Sequence, residues 1–112
     1  MTGTVVTEYR VTRTVTLPRA SDFRRLTRCQ KERVQGAIDT VLAPHEQEHV
    51  DAFETYNGRT EQPFDLNLCR KQLPGVVRKN GQKRRRLRRA AAQAASNALD
   101  PFNFDVDLDC TD

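Results

Sequence analysis

Tryptophan is absent from this chain, aromatic residues make up 6% of it, and histidine occurs only twice in 112 residues. With so little aromatic bulk, a chain of this length supports one modest hydrophobic core, and therefore one domain. No apolar run approaches the roughly 20 residues that a membrane-spanning helix needs. The opening, Met1-Thr2-Gly3-Thr4-Val5-Val6, has neither the basic head nor the apolar stretch of a signal peptide. Because it opens directly on strand-like text, residues 1–112 are expected to be a single domain cut from a longer chain. The three cysteines, Cys29, Cys69 and Cys110, form no C-x-x-C pair, which disfavours a thiolate zinc site. A Cys69–Cys110 disulfide and three reduced thiols both stay open at this point.

Both histidines fall in one pentapeptide, His45-Glu46-Gln47-Glu48-His49. On a helix, residues four apart leave the same face one turn apart. Two imidazoles at that spacing can share one Zn²⁺ at about 2.0–2.1 Å from each nitrogen. Glu46 lies close enough to that face to take the proton of a water that the metal activates. Such a constellation hydrolyses amides. The alternative is two histidines exposed on an amphipathic helix.

Residues 4–17 alternate, with Val5, Tyr9, Val11, Val15 and Leu17 on one parity and mainly threonine and charge on the other. Period two with β-branched residues predicts a half-buried strand, long or bent into two pieces, ended by Pro18. Thr27 and Gln30 fit a capping box. After them Val34, Ala37, Ile38, Val41 and Leu42 recur at helical spacing. Pro44 either kinks that helix or opens a new one, which carries the motif on through Ala52, Phe53 and Tyr56 and stops at Asn57-Gly58. Residues 59–75 read as irregular, with a short extended piece at Phe64–Leu68. A helix after Gly81 is expected to turn Leu87, Ala91, Ala94, Ala95 and Ala98 inward and to end before Pro101. The tail alternates Phe102, Phe104, Val106 and Leu108 with polar residues, a second strand signal. The fold class is therefore α+β.

Charge is unevenly spread. Residues 78–89 hold eight bases, and residues 100–112 hold five aspartates and no base. The two blocks are expected to neutralise each other in part. No aromatic interrupts the basic run, so base stacking is not indicated and nucleic acid is disfavoured as a partner.

The order of these pieces resembles a known family. A Thr/Val-rich strand ends in Leu17-Pro18. A helix reads Gln30-Lys31-Glu32-Arg33-Val34, and His45-Glu46-x-x-His49 follows. This is similar to the predicted secreted zinc-dependent proteases grouped as a bacterial domain of unknown function. Thr55-Tyr56-Asn57-Gly58 and Leu99-Asp100-Pro101-Phe102 resemble a variant found at the C-terminus of proteins with an extracellular contractile injection system module. The resemblance covers most of the chain. It implies a small zincin-like domain, with N-terminal strands packed on the motif helix and a C-terminal helix. It also implies a zinc endopeptidase acting on protein or peptide, secreted or delivered by an export or injection system, and able to act as a toxin in the cytoplasm of a target cell. A monomer is expected. The competing reading is a basic binding module for nucleic acid or an acidic protein, with the motif incidental or retired.

A catalytic zinc usually has three protein ligands. With both histidines used, Asp100 is the first choice for the third. It ends the last helix, whose alanines permit close approach to the motif helix, and the family has an aspartate at a comparable place. Glu61 is the runner-up. Glu54 and Asp51 point away from the His49 direction by about 140° and 200° on a helical wheel. Cys69 and Cys110 are soft ligands better suited to a structural site. Tyr56, two turns beyond His49, is a candidate hydrogen-bond donor to a developing oxyanion; its other reading is a core tyrosine beside Phe53.

Overall fold

The computed structural model describes residues 1–112 and is a mixed α+β structure. Strand β1 (Thr2–Tyr9) pairs antiparallel with β2 (Gly58–Asp65), in a register running from Thr2 opposite Asp65 to Tyr9 opposite Gly58. Three helices follow the same numbering: α1 (Arg28–Ala37), α2 (Ala43–Glu54) and α3 (Leu73–Asn97). No helix is long and apolar enough to cross a membrane.

The first strand is shorter than the alternation in residues 4–17 implied. Its ladder ends at Tyr9 because β2 begins at Gly58, where φ is +154°. Beyond that point a side chain replaces the partner strand. The Asn57 amide accepts from Val11 N at 2.5 Å and donates to Val11 O at 3.2 Å. Residues 10–19 continue without a ladder, and Arg13 lays its guanidinium over the Phe53 ring at 4.0 Å. The inner sheet face carries Val5, Thr7 and Tyr9 against Gln62 and Thr60. Phe64 lies across Gly3, where a Cβ would come within 2.7 Å of its ring. The strand over residues 58–65 replaces the irregular segment expected there; its apolar content is too low to mark it, and pairing with β1 decides it.

The Thr27–Gln30 capping box forms as expected, with Gln30 N donating to Thr27 Oγ1 at 3.2 Å and Thr27 N donating to Gln30 Oε1 at 3.1 Å. Between α1 and α2 the backbone widens into one π-helical turn over Ile38–Leu42, with Ala43 N bonded to Ile38 O. Pro44 lacks the N–H that an α-helix would need at that point. The wide turn lets the chain pass it, and Pro44 sits in the first turn of α2.

Helix α3 begins at Leu73, with Pro74 in its first turn, rather than after Gly81. Its buried residues are Ala92 and Ser96, while Leu87 is 61% exposed and Ala91, Ala94, Ala95 and Ala98 face out. Six alanines between residues 90 and 98 are apolar all round and give no phase. Arg88 sets it instead. Its guanidinium donates to the carbonyls of Tyr56 and Asn57 and lies over the Tyr9 ring, 4.5 Å from the centroid. Gly58 is required beside it, since a Cβ there would meet Arg88 Nη2 at 2.5 Å.

The tail is extended but is not a strand. It runs along α1, held by Arg33 to Asp107 at 3.2 Å, by Gln30 Nε2 to Leu108 O at 3.1 Å and by a Cys29–Cys110 disulfide. The tail is held to a helix rather than to a second strand, so no ladder forms. Neither of the two cysteine states left open, a Cys69–Cys110 bridge or three reduced thiols, is found, and Cys69 is a free, exposed thiol. Asp107 and Asp112 therefore bond to α1, Asp100 lies at the histidines, and no tail aspartate pairs with the basic run of α3.

The molecule is long and thin, 77 × 21 × 17 Å. Its radius of gyration is 22.9 Å, against about 13 Å for a compact chain of this length. It exposes 8832 Å², where a compact chain of this mass exposes roughly 6,300 Å². Tyr9, Ala20, Ile38, Val50 and Ala92 are the buried apolar residues.

Candidate metal centre

The site forms where α2 meets the C-terminal end of α3. His45 and His49 stand one turn apart on α2 and both turn their Nε2 atoms to one point, 3.1 Å from each other. Asp100, just past α3, brings Oδ1 to 3.4 Å from His45 Nε2 and 3.3 Å from His49 Nε2. One ligand atom from each of the three residues lies within 4.8 Å of the others. Two Nε2–H groups aimed at each other would repel, so at least one imidazole presents a lone pair to the shared point. The three separations also match the edge of a tetrahedron with ligand bonds of 2.0–2.1 Å, about 3.3 Å.

The imidazoles are held from behind. His49 Nδ1 lies 2.7 Å from Ser96 Oγ, on a serine that is 3% exposed. If the Nε2 lone pair faces the shared point, Nδ1 carries the proton and donates it to Ser96. His45 is 7% exposed and stacks parallel on Phe102, with centroids 3.7 Å apart and an interplanar angle of 8°. It meets His49 edge to face at 4.7 Å. Asp100 remains open to solvent, its side chain 55% exposed, so one side of the cluster is accessible. Glu46, half-buried on the same helix, forms no hydrogen bond or ion pair.

The other candidates lie elsewhere. Glu61 is on β2 and pairs with Arg59 at 2.9 Å. Asp51 accepts from the Gln47 amide at 3.0 Å. Glu54 is exposed at the end of α2. Cys110 is bonded to Cys29, and Cys69 precedes α3 at its opposite end. Tyr56 packs edge-on against Tyr9, with centroids 5.5 Å apart at 86°, while the aromatic partners of the imidazoles are each other and Phe102. That is the packing role of an aromatic at helical spacing.

Ser96 and Phe102 escaped the sequence reading. Ser96 did leave a signal: it is the single hydroxyl in an alanine-rich helix, one turn from Ala92 on the face that meets α2. The alternation of the tail reads Phe102 as a strand residue, and its ring instead covers His45. No family model, curated protein or solved structure matches the chain.

Proposed function

We propose that the chain is a zinc-dependent endopeptidase built on a minimal zincin-like arrangement. The observation that carries this reading is the convergence of His45 Nε2, His49 Nε2 and Asp100 Oδ1. Two imidazoles and one carboxylate are a donor set suited to a hydrolytic Zn²⁺ with an open position. His45, His49 and Asp100 would hold the ion. When bound, it supplies Lewis acidity, polarising a scissile carbonyl and easing loss of a proton from water.

The remaining chemistry belongs to the chain. The Glu46 carboxylate, next in sequence to His45 and free of any hydrogen bond or ion pair, accepts the proton of the attacking water and returns it to the departing amine. Ser96 fixes the orientation of the His49 ring, and Phe102 fixes that of His45. Phe102 also excludes water from one side of the site, while the exposed side at Asp100 admits a polypeptide. The Cys29–Cys110 bridge supports action in an oxidising setting, consistent with secretion or delivery.

The test is metal content and turnover measured together on untagged protein. One zinc per chain is expected by elemental analysis, with cleavage of unfolded casein. Glu46→Gln should keep the metal and lose turnover by about three orders of magnitude or more. Equal zinc in wild type and His49→Ala would overturn the metal assignment, and wild-type cleavage by Glu46→Gln would overturn the role of the base.

A further inference from the structure

The inner face of the β1–β2 pair does not close on the N-terminal half of α3. A groove of about 670 Å³ lies between them. Its apolar lining includes Val5, Phe64, Leu66 and Val77, and Arg84 and Arg85 line it from α3. Thr60 Oγ1, buried and without a hydrogen-bond partner, lies toward the Arg88 end. Both outer edges of the two-stranded sheet are unpaired.

Glu8 is the one acid in the groove lining, and it forms no ion pair with the bases beside it. Among the eight bases of residues 78–89, Arg88 alone has a hydrogen-bond partner, and none forms an ion pair. The acidic tail that would have been their nearest match is anchored on α1. With its excess of exposed surface, the molecule carries an unfilled apolar cleft rimmed by uncompensated cations.

We propose that this groove binds an extended acidic polypeptide segment whose alternate residues are apolar. Resting on the peptidase reading, it is the recognition site for an acidic stretch of the substrate, remote from the bond that is cut. An extended strand places side chains alternately on two sides. One set fills the Val5–Phe64–Val77 floor and the other reaches Arg84 and Arg85. The aliphatic lining and the absence of an aromatic in residues 78–89 give no stacking platform for bases. A membrane surface would need an apolar face turned outward opposite the bases, and Val76 and Val77 turn into the groove. Arg85, Arg88, Ala92 and Ser96 fall within about 80° of one another around α3, so groove and metal centre share a side of the helix. Arg85 and Ser96 are eleven residues apart, about 16 Å of helix, which an extended chain spans in about five residues. The acidic stretch should therefore lie about five or more residues from the scissile bond.

Binding is read by fluorescence anisotropy on the full, zinc-loaded chain carrying Glu46→Gln, so that the ligand is not consumed. The ligands are a labelled peptide of alternating Glu and Val, its Lys/Val counterpart, an oligothymidylate of similar length and phosphatidylserine vesicles. The Glu/Val peptide should bind best, and Arg84→Glu with Arg85→Glu should weaken it about tenfold or more. Lys79→Glu with Lys83→Glu, on the opposite face of α3, serves as the equal-charge control and should cost less than about threefold. His49→Ala should leave peptide binding intact, so failure of the metal reading is seen separately from failure of this one. Tighter binding of the oligonucleotide or the vesicles, no binding of the Glu/Val peptide, or equal losses in the two charge-reversed pairs would each overturn the proposal.

Discussion

Ser96 Oγ and His49 Nδ1 are 2.7 Å apart, although one belongs to the last helix and the other to the motif helix. The contact locks α2 to α3 at the point where α3 hands the chain to Asp100. It therefore joins the orientation of one proposed ligand to the placement of another. Ser96→Ala removes the acceptor without adding volume. The variant should fold normally and bind zinc about 10–100-fold more weakly, measured by competition with a chromophoric chelator. Ser96→Thr, which keeps the hydroxyl, should recover part of the loss. Unchanged affinity in Ser96→Ala would show that packing alone orients His49.

Asp100→Asn preserves shape and removes the charge. Zinc affinity should fall at least about tenfold, because a neutral amide is a poor ligand for this ion. Glu61→Gln is the paired control, since Glu61 sits on β2 with Arg59, and it should leave affinity unchanged. Similar losses in the two variants would displace Asp100 from the site.

The disulfide reaches the same site by a longer route. Cys110 anchors the tail to α1, and the tail begins with Asp100, Pro101 and Phe102. Cys110→Ser should lower stability by about 4 kcal/mol, since the bridge closes a separation of 81 residues. It should also weaken zinc binding, because Asp100 and the ring that stacks on His45 are then tethered from one side only. Mass spectrometry of the non-reduced wild type should find Cys69 alone open to alkylation.

What the sequence disclosed follows from what is local. The capping box at Thr27 and Gln30 and the helical spacing of His45 and His49 depend on neighbours in the chain, and both appear in the structure, whereas α2 ends at Glu54, short of the stop expected at Asn57-Gly58, and Gly58 opens β2. The place of Asp100 beside the two imidazoles was reachable from the shortage of other ligand residues, its position at a helix end and the family resemblance. Pairings across the chain were not legible in the same way. The tail and β1 carry the same alternation, yet β1 finds β2 while the tail finds a helix. The cysteine partner of Cys110 follows from that docking, which spacing does not encode. The phase of α3 was hidden for a different reason. Alanine on every side removes the contrast that periodicity needs, and an arginine turned inward runs against the ordinary burial order.

That inward arginine gives the sharpest contrast between sequence pattern and structure. Leu87 is the bulkiest apolar residue among the bases and would ordinarily be assigned to the core, yet it is 61% exposed. Its neighbour Arg88 joins three elements: it donates to Tyr56 O and Asn57 O at the end of α2 and lies over Tyr9 of β1. Removing it leaves two part-buried carbonyls without their donor and takes a cation off an aromatic face. Arg88→Ala should therefore destabilise by about 2–3 kcal/mol, whereas Leu87→Ala should stay within about 0.5 kcal/mol of wild type. Arg88→Lys should recover little, because an ammonium does not present the planar fork that serves both carbonyls. Urea unfolding of the three variants, followed by circular dichroism, reads the difference. A larger loss for Leu87→Ala than for Arg88→Ala would mean that α3 is rotated about its axis, and with it the placement of Ser96 against His49.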